Sequence, residues 1–180
     1  MEVKVRGGVM NIILIGMSGS GKTTLGKALG ESLDMDLVDT DDFIRRSEGR
    51  TIDSIFQEDG EAYFRDLETR VLRDYAGLDN TIIATGGGII LRQENVDQLA
   101  RLGKRILLKG SPETLVRNLR ASQEVRPLLK EAEDLRLDIV AMMEKRKDQY
   151  LRAADFIIDI DNKTVDEICQ EIIAFINVDR

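Results

Sequence analysis

Asn11-Ile-Ile-Leu-Ile15-Gly16-Met-Ser-Gly-Ser-Gly21-Lys22-Thr23-Thr24 is the stretch on which the reading of this chain turns. Its first five residues form an apolar run closed by Gly16, the pattern of a strand buried on both faces in a parallel sheet. Leu25, Ala28, Leu29 and Leu33 follow at helical spacing, so the unit reads strand, glycine turn, helix. Across the turn, Gly16 to Thr23 satisfies G-x-x-x-x-G-K-[ST] in the context that gives this pattern its meaning. Glycines let backbone N–H groups turn toward a phosphate chain, and the helix N-terminus adds partial positive charge. Gly19, Ser20, Gly21, Lys22, Thr23 and Thr24 are therefore the candidate ATP-binding residues, with Lys22 reaching the β and γ phosphates and Thr23 ligating magnesium. The competing reading is a glycine turn with a chance lysine. The motif alone does not separate kinases from GTPases or ATPases.

Further short apolar runs occur at Asp36 to Val38, Thr81 to Ala84, Arg105 to Leu108 and Phe156 to Ile160, separated by segments with helical periodicity. Alternation of strands and helices implies an α/β fold in three layers, a parallel sheet covered on both faces. Ser111-Pro112 supplies an N-cap and an N1 proline, and Thr164-Val-Asp-Glu167 has the form of a capping box. The last helix is expected to turn Val165, Ile168, Ile172 and Phe175 inward. Two regions resist the alternation: a long helical stretch from Ile52 to Tyr75, and a charged segment from Ala121 to Glu131 around Arg126-Pro127. Both are expected to be mobile elements covering a substrate.

With 180 residues the chain suits one domain and one active site. Its net charge of −7 opposes nucleic acid as a partner, so an anionic ligand needs a local basic pocket. The single cysteine, Cys169, excludes an intramolecular disulfide, and the absence of histidine removes the usual zinc ligands; a reducing, cytoplasmic setting is expected. Apolar runs such as Ile139 to Met143 are far too short to span a bilayer, and residues 1–9 lack the apolar stretch of a signal peptide, so neither membrane insertion nor secretion is expected. Residues 1–9 read as a leader or extension, with Met10 as an alternative start.

Asp39-Thr-Asp41-Asp42 ends the second strand, where ligands meet open parallel sheets. Phosphoryl transfer to an alcohol needs one group to handle the hydroxyl and another to position the metal, and a close Asp pair can divide those tasks. Helix capping by Asp41 or Asp42 is the competing account. Gly86, Gly87 and Gly88 end the third strand, where bare glycines let the main chain approach a ligand and offer N–H donors, a plain turn being the alternative. Arg65 follows Glu61 by four residues, which also suits a solvated ion pair. Leu135, Ile139, Met142, Arg146 and Tyr150 share one helical face, which places Arg146 on an inward stripe where it needs an anion, from a carboxylate of the protein or from a ligand. An N-K-x-D guanine signature fails at Asn162-Lys163-Thr164-Val165, and a dinucleotide-binding G-x-G-x-x-G fails after Gly19-Ser-Gly21.

Together these residues resemble the shikimate kinase family. Gly16 to Gly26 is similar to its P-loop and Asp39-Thr-Asp41 to its D-x-D, while Glu61-Ala-Tyr-Phe-Arg65 is similar to its F-R helix. The resemblance continues at Gly86 to Gly88 with the glycine triplet, at Arg126-Pro127-Leu128 with the lid R-P-L, and at Arg146 to Tyr150 with the late R-x-x-x-Y. Two departures are Arg45, where an acidic residue is common, and Lys147-Asp148-Gln149 in place of N-P-L. The resemblance implies a P-loop fold of the nucleoside-monophosphate-kinase type with a five-stranded parallel sheet, an acceptor-binding insertion at about 41–77 and a lid at about 120–131, all within one domain spanning 10–180. It implies transfer of the ATP γ-phosphate to the 3-hydroxyl of shikimate by a monomer. Asp41 would activate the hydroxyl, and Asp39 with Thr23 would place magnesium. Arg65, Arg146 and Gly86 to Gly88 would hold the acceptor, and Arg126, counted with Lys22 and Asp41 as catalytic, would close over the nucleotide. A gluconate or nucleoside-monophosphate kinase, or a nucleotide-binding module without catalysis, are the alternatives.

Overall fold

The computed structural model describes residues 10–122 and 135–178. Residues 1–9, Arg126 and most of the lid expected at about 120–131 lie outside the described residues. In chain order the elements are β1 (Asn11–Ile15), α1 (Lys22–Leu33), β2 (Asp36–Asp39), α2 (Thr40–Glu48), α3 (Ile52–Glu58), α4 (Gly60–Asp74) and β3 (Thr81–Ala84). They continue with α5 (Gln93–Leu102), β4 (Gly103–Lys109), α6 (Pro112–Ala121), α7 (Leu135–Ala153), β5 (Phe156–Asp159) and α8 (Val165–Val178).

All strand pairings are parallel, in the order β2-β3-β1-β4-β5. The period of two along each strand divides the core between the two faces. Ile13, Ile15, Ile83 and Leu107 pack on one face with residues of α4, α5, α6 and α7, whereas Ile12, Leu14, Ile82, Ile106 and Ile158 pack on the other against α1 and α8. β1 and β3 are buried along their whole length, which is why their sequences are unbroken apolar runs. Burying each such Ile or Leu contributes about 1.5 to 3 kcal/mol.

Local signals set the helix ends. Ser111 Oγ accepts from the Thr114 N–H ahead of Pro112, and Thr164 and Glu167 exchange side-chain bonds to each other's N–H in a complete capping box. Val165, expected inward, is 39% exposed: it shares the face of Ile168, Ile172 and Ile176 but is the first residue of α8, beyond the end of their packing. The helical stretch after β2 is three helices. Gly49 ends α2 in a left-handed conformation, and Gly60, also left-handed at φ 83°, breaks α3 from α4. Arg50 fastens these joints together, bonding Glu48 (3.0 Å), Glu58 (2.8 Å) and Asp59 (2.7 Å).

The connection after β1 runs to α1 on one face, and that after β3 runs to α5 on the other. Diverging connections leave a crevice beyond the C-terminal ends of these strands. The register sets Asp39 beside Ala84, so the acidic end of β2 and the glycines after β3 enter that crevice together.

Candidate active site

Gly16 to Thr23 wraps the end of β1 as a loop whose Gly19 and Gly21 have φ of 84° and 81°, a left-handed conformation in which side chains are strained. The chain then enters α1 at Lys22, so the first N–H groups of that helix face the loop's interior. Lys22 is 7% exposed, and its Nζ donates to the Gly16 carbonyl (2.8 Å), the Met17 carbonyl (2.9 Å) and Ser20 Oγ (3.3 Å). The ammonium therefore lies across the mouth of its own loop. Asn118 of α6 ties the loop from the side, donating to the Gly19 carbonyl at 2.9 Å. Thr24 is exposed on the first turn of α1.

Thr23 Oγ1 donates to Asp39 Oδ2 at 2.7 Å, joining α1 to the end of β2. The other oxygen of Asp39 accepts the N–H groups of Asp41 (2.9 Å) and Asp42 (3.2 Å). The capping role weighed for Asp41 or Asp42 thus belongs to Asp39, which leaves the Asp41 carboxylate to turn inward. Arg45 pairs with Asp42 on α2. Thr23 and Asp39 present hard oxygen donors of the kind magnesium prefers. Among the described residues no cluster of three or more His, Cys, Asp or Glu could hold a metal ion by itself.

None of the glycines at 86 to 88 has a positive φ; two of them are needed for space. A Cβ on Gly86 would lie 2.5 Å from Asp41 Oδ1 and 3.0 Å from Glu68 Oε1. One on Gly88 would lie 2.5 Å from Arg65 Cζ and 2.6 Å from Nη2. The triplet is thus the floor on which two carboxylates and a guanidinium converge. Gly86 gives its N–H to Thr40 Oγ1 at 2.8 Å, while the N–H groups of Gly87 and Gly88 have no protein acceptor among the described residues.

Arg65 lies on the inward face of α4 beside the packed pair of rings of Phe56 and Phe64, 6.0 and 5.4 Å from their centroids. Its guanidinium bonds Glu68 Oε2 at 2.7 Å and Glu61 Oε1 at 2.9 Å, so the ion pair with Glu61 does form but is accompanied by a buried one. Glu68 is fully buried, and its Oε1 has no hydrogen-bond partner among the described residues. Burial pushes its carboxyl up to about 7, against the pull of Arg65 and with a further push from Asp41. On α7, Arg146 Nη1 donates to the Gly87 carbonyl at 3.2 Å, and Tyr150 Oη donates to the same oxygen at 2.5 Å. The partner of Arg146 on its inward stripe is therefore a main-chain carbonyl, with the charge of Glu68 nearby. Burial holds the Tyr150 hydroxyl far above the ordinary phenol range, so it remains a donor.

Lys22, Thr23, Asp39, Asp41, Arg65, Gly86, Gly87, Gly88 and Arg146 thus belong to one continuous set of contacts. Thr40, Glu68 and Tyr150 were not singled out by sequence as site residues. Tyr150 was legible only as a member of the inward stripe of α7 and of the R-x-x-x-Y resemblance, and Glu68 only as an acid among Phe64, Leu67, Val71 and Leu72. A cavity of about 450 Å³ bordered by Met10, Leu78, Arg101 and Lys104 opens at the opposite end of the strands and takes none of these groups. No helix among the described residues is long and apolar enough to cross a membrane.

The chain is similar to known proteins. The family model for shikimate kinase matches residues 18–177. A shikimate kinase of Caldanaerobacter subterraneus is 40% identical over 163 residues, 91% of this chain and 94% of the relative. Among solved structures, a shikimate kinase from Acinetobacter baumannii in complex with shikimate superposes with a TM-score of 0.89 at 31% identity, covering 96% of this chain and 95% of the other. One from Bacteroides thetaiotaomicron gives 0.88 at 33% identity, covering 94% and 99%.

Proposed function

The chain belongs to the shikimate kinase family, and from that premise we propose that it uses the groups of this crevice to transfer the γ-phosphate of ATP to the 3-hydroxyl of shikimate. The fold is the P-loop fold of the nucleoside-monophosphate-kinase type, and the reaction is ATP-dependent phosphorylation of a hydroxyl. The observation that carries the assignment of roles is the convergence on one glycine floor of Asp41, Arg65 and Arg146 beside the phosphate-binding loop.

The N–H groups from Gly19 to Thr24 and the ammonium of Lys22 take the triphosphate. Thr23 and Asp39 would hold magnesium, which would supply positive charge to the phosphates. The segment at about 41–77 supplies the acceptor side. Arg65 and Arg146, with the N–H groups of Gly87 and Gly88, take the carboxylate and ring oxygens of shikimate, while Gly86 makes room for Asp41. Asp41 accepts the hydroxyl proton as the oxygen bonds to the γ-phosphorus. The bond from that phosphorus to the bridging oxygen breaks, and ADP leaves with its electron pair. The proposal extends to a cytoplasmic monomer with no nucleic-acid or membrane partner, in keeping with the net charge of −7.

Coupled measurement of ADP release tests this reading. Release that requires shikimate and magnesium, with gluconate and nucleoside monophosphates inactive, is the expected result. Release driven by one of those other acceptors, or none with any acceptor, would overturn it.

A further inference from the structure

The glycine floor is held by two hydroxyls, those of Thr40 and Tyr150. Thr40, fully buried, stands between Asp39 and Asp41, and its Oγ1 accepts the Gly86 N–H at 2.8 Å. Tyr150, 5% exposed, reaches across from α7 and donates to the Gly87 carbonyl at 2.5 Å. These bonds act on two different peptide groups, Thr85–Gly86 and Gly87–Gly88. The triplet has no Cβ atoms and belongs to no strand; besides these two bonds its carbonyls are held by the Ile89 N–H on Gly86 (3.3 Å), the Leu91 N–H on Gly88 (3.0 Å) and Arg146 on Gly87.

Planarity of a peptide turns such a bond into an aiming device. In a trans peptide the C=O and the following N–H point in opposite directions, and the described residues contain no cis bonds. Holding the Gly87 carbonyl against α7 therefore aims the Gly88 N–H away from α7, on the residue where a Cβ would run into the Arg65 guanidinium. Fixing the Gly86 N–H on Thr40 sets the neighbouring carbonyl in the same way and keeps this N–H from competing for an anion. What is left for a ligand is the pair of donors on Gly87 and Gly88, flanked by Arg65 and Arg146.

We propose that Thr40 and Tyr150 are positioning residues for the acceptor: their hydroxyls orient the glycine triplet so that the Gly87 and Gly88 N–H groups meet the acceptor's oxygens. The inference rests on the reading of the triplet as part of the acceptor site. Arg146 shares the Gly87 carbonyl with Tyr150. When Arg146 turns to an incoming carboxylate, Tyr150 keeps the peptide in place.

The variants Tyr150→Phe, Thr40→Val and Thr40→Ser test this, with Arg146→Ala as the benchmark for the site itself. Tyr150→Phe and Thr40→Val should raise the KM for shikimate roughly three- to tenfold, the span expected from the loss of one hydrogen bond. The KM for ATP should stay within a factor of about two. Thr40→Ser, which restores the hydroxyl, should return the shikimate KM to the wild-type value, a rescue that a packing role of the methyl group does not predict. If both deletions leave the shikimate KM unchanged while Arg146→Ala raises it, the positioning inference falls and the site reading stands. If Arg146→Ala is silent as well, both fall. Equal increases in the two KM values, or failure of Thr40→Ser to rescue, would also overturn the inference by marking a general structural role. Should Tyr150→Phe fail to fold, the Thr40 pair decides.

Discussion

Gly88→Ala isolates the close approach on which the acceptor side is built. Gly88 has φ −106° and ψ −1°, a conformation open to any residue, so the substitution adds a methyl group without straining the backbone. That methyl arrives 2.5 Å from Arg65 Cζ and 2.6 Å from Nη2, where ordinary contact begins at 3.4 Å. The guanidinium must withdraw by roughly 1 Å, a displacement large enough at an active site to cost about a hundredfold. It cannot withdraw freely, because Glu68 holds it at 2.7 Å and Glu61 at 2.9 Å while the packed rings of Phe56 and Phe64 close one side. Overpacking of this kind costs about 1 to 3 kcal/mol. For a domain of this size that lowers Tm by about 2 to 12 °C. In a coupled ADP-release assay the expected result is a shikimate KM raised about tenfold to a hundredfold, with the ATP KM unchanged. Gly77→Ala is the control, since a Cβ there meets nothing within 4 Å, and it should leave both constants and Tm as they are. A Gly88→Ala protein with wild-type Tm and wild-type shikimate KM would refute the reasoning.

Lys22→Ala should lower turnover by about a hundredfold or more by removing charge from the transferred phosphoryl group, while circular dichroism shows a folded protein; near wild-type turnover in that protein counts against the role of Lys22. Asp41→Asn should cut kcat far more than it alters ATP affinity, measured by turnover and by direct nucleotide titration, and the reverse pattern would exchange the roles of Asp41 and Asp39. Burial raises the Glu68 carboxyl from 4.5 to about 7, so the folded protein holds this proton more tightly than the unfolded chain. The stability it contributes is therefore full below about pH 4.5 and lost as the pH rises through about 7, a change of up to about 3 kcal/mol. Urea unfolding at about pH 5 and pH 8 should show that wild type loses more stability across this range than Glu68→Gln, and equal losses would disprove the shift.

The phosphate-binding side was legible in sequence because its geometry is local. The loop from Gly16 to Thr23 closes within one turn, and the flanking strand and helix announce themselves by period. The acceptor side was legible only as a set of residue types. Arg146 could be marked as a cation on an apolar face and Arg65 as a partner of Glu61, but the buried Glu68 and the Gly87 carbonyl that they also find could not. The contacts that define the floor join Thr40 to Gly86 and Tyr150 to Gly87, separations of 46 and 63 residues. They depend on the register of Asp39 with Ala84 and on where α7 crosses the end of the sheet. The glycine triplet shows the limit most clearly: sequence suggested main-chain donors, whereas each of Gly86 and Gly88 is also dictated by a side chain from a distant element. Glu68 escaped because an acid beside an arginine reads as a surface pair until α4 is seen to be buried on that face.

A chain of net charge −7 that handles two anionic substrates has to keep its cations available without leaving them costly to bury. Here each cation of the described site already has an acceptor. Lys22 bonds the Gly16 and Met17 carbonyls, Arg65 bonds Glu61 and Glu68, and Arg146 bonds the Gly87 carbonyl. Binding a phosphate or a carboxylate is therefore an exchange of acceptors, in which the net gain is smaller than the strength of the new contacts suggests. Glu68 differs from the other acceptors because burial has raised its carboxyl to about 7, so taking up a proton weakens its hold on Arg65. In the proposed reaction, the interactions that strengthen as charge develops, from Lys22 at the phosphoryl group and Asp41 at the hydroxyl, then act on the rate more than on ground-state binding.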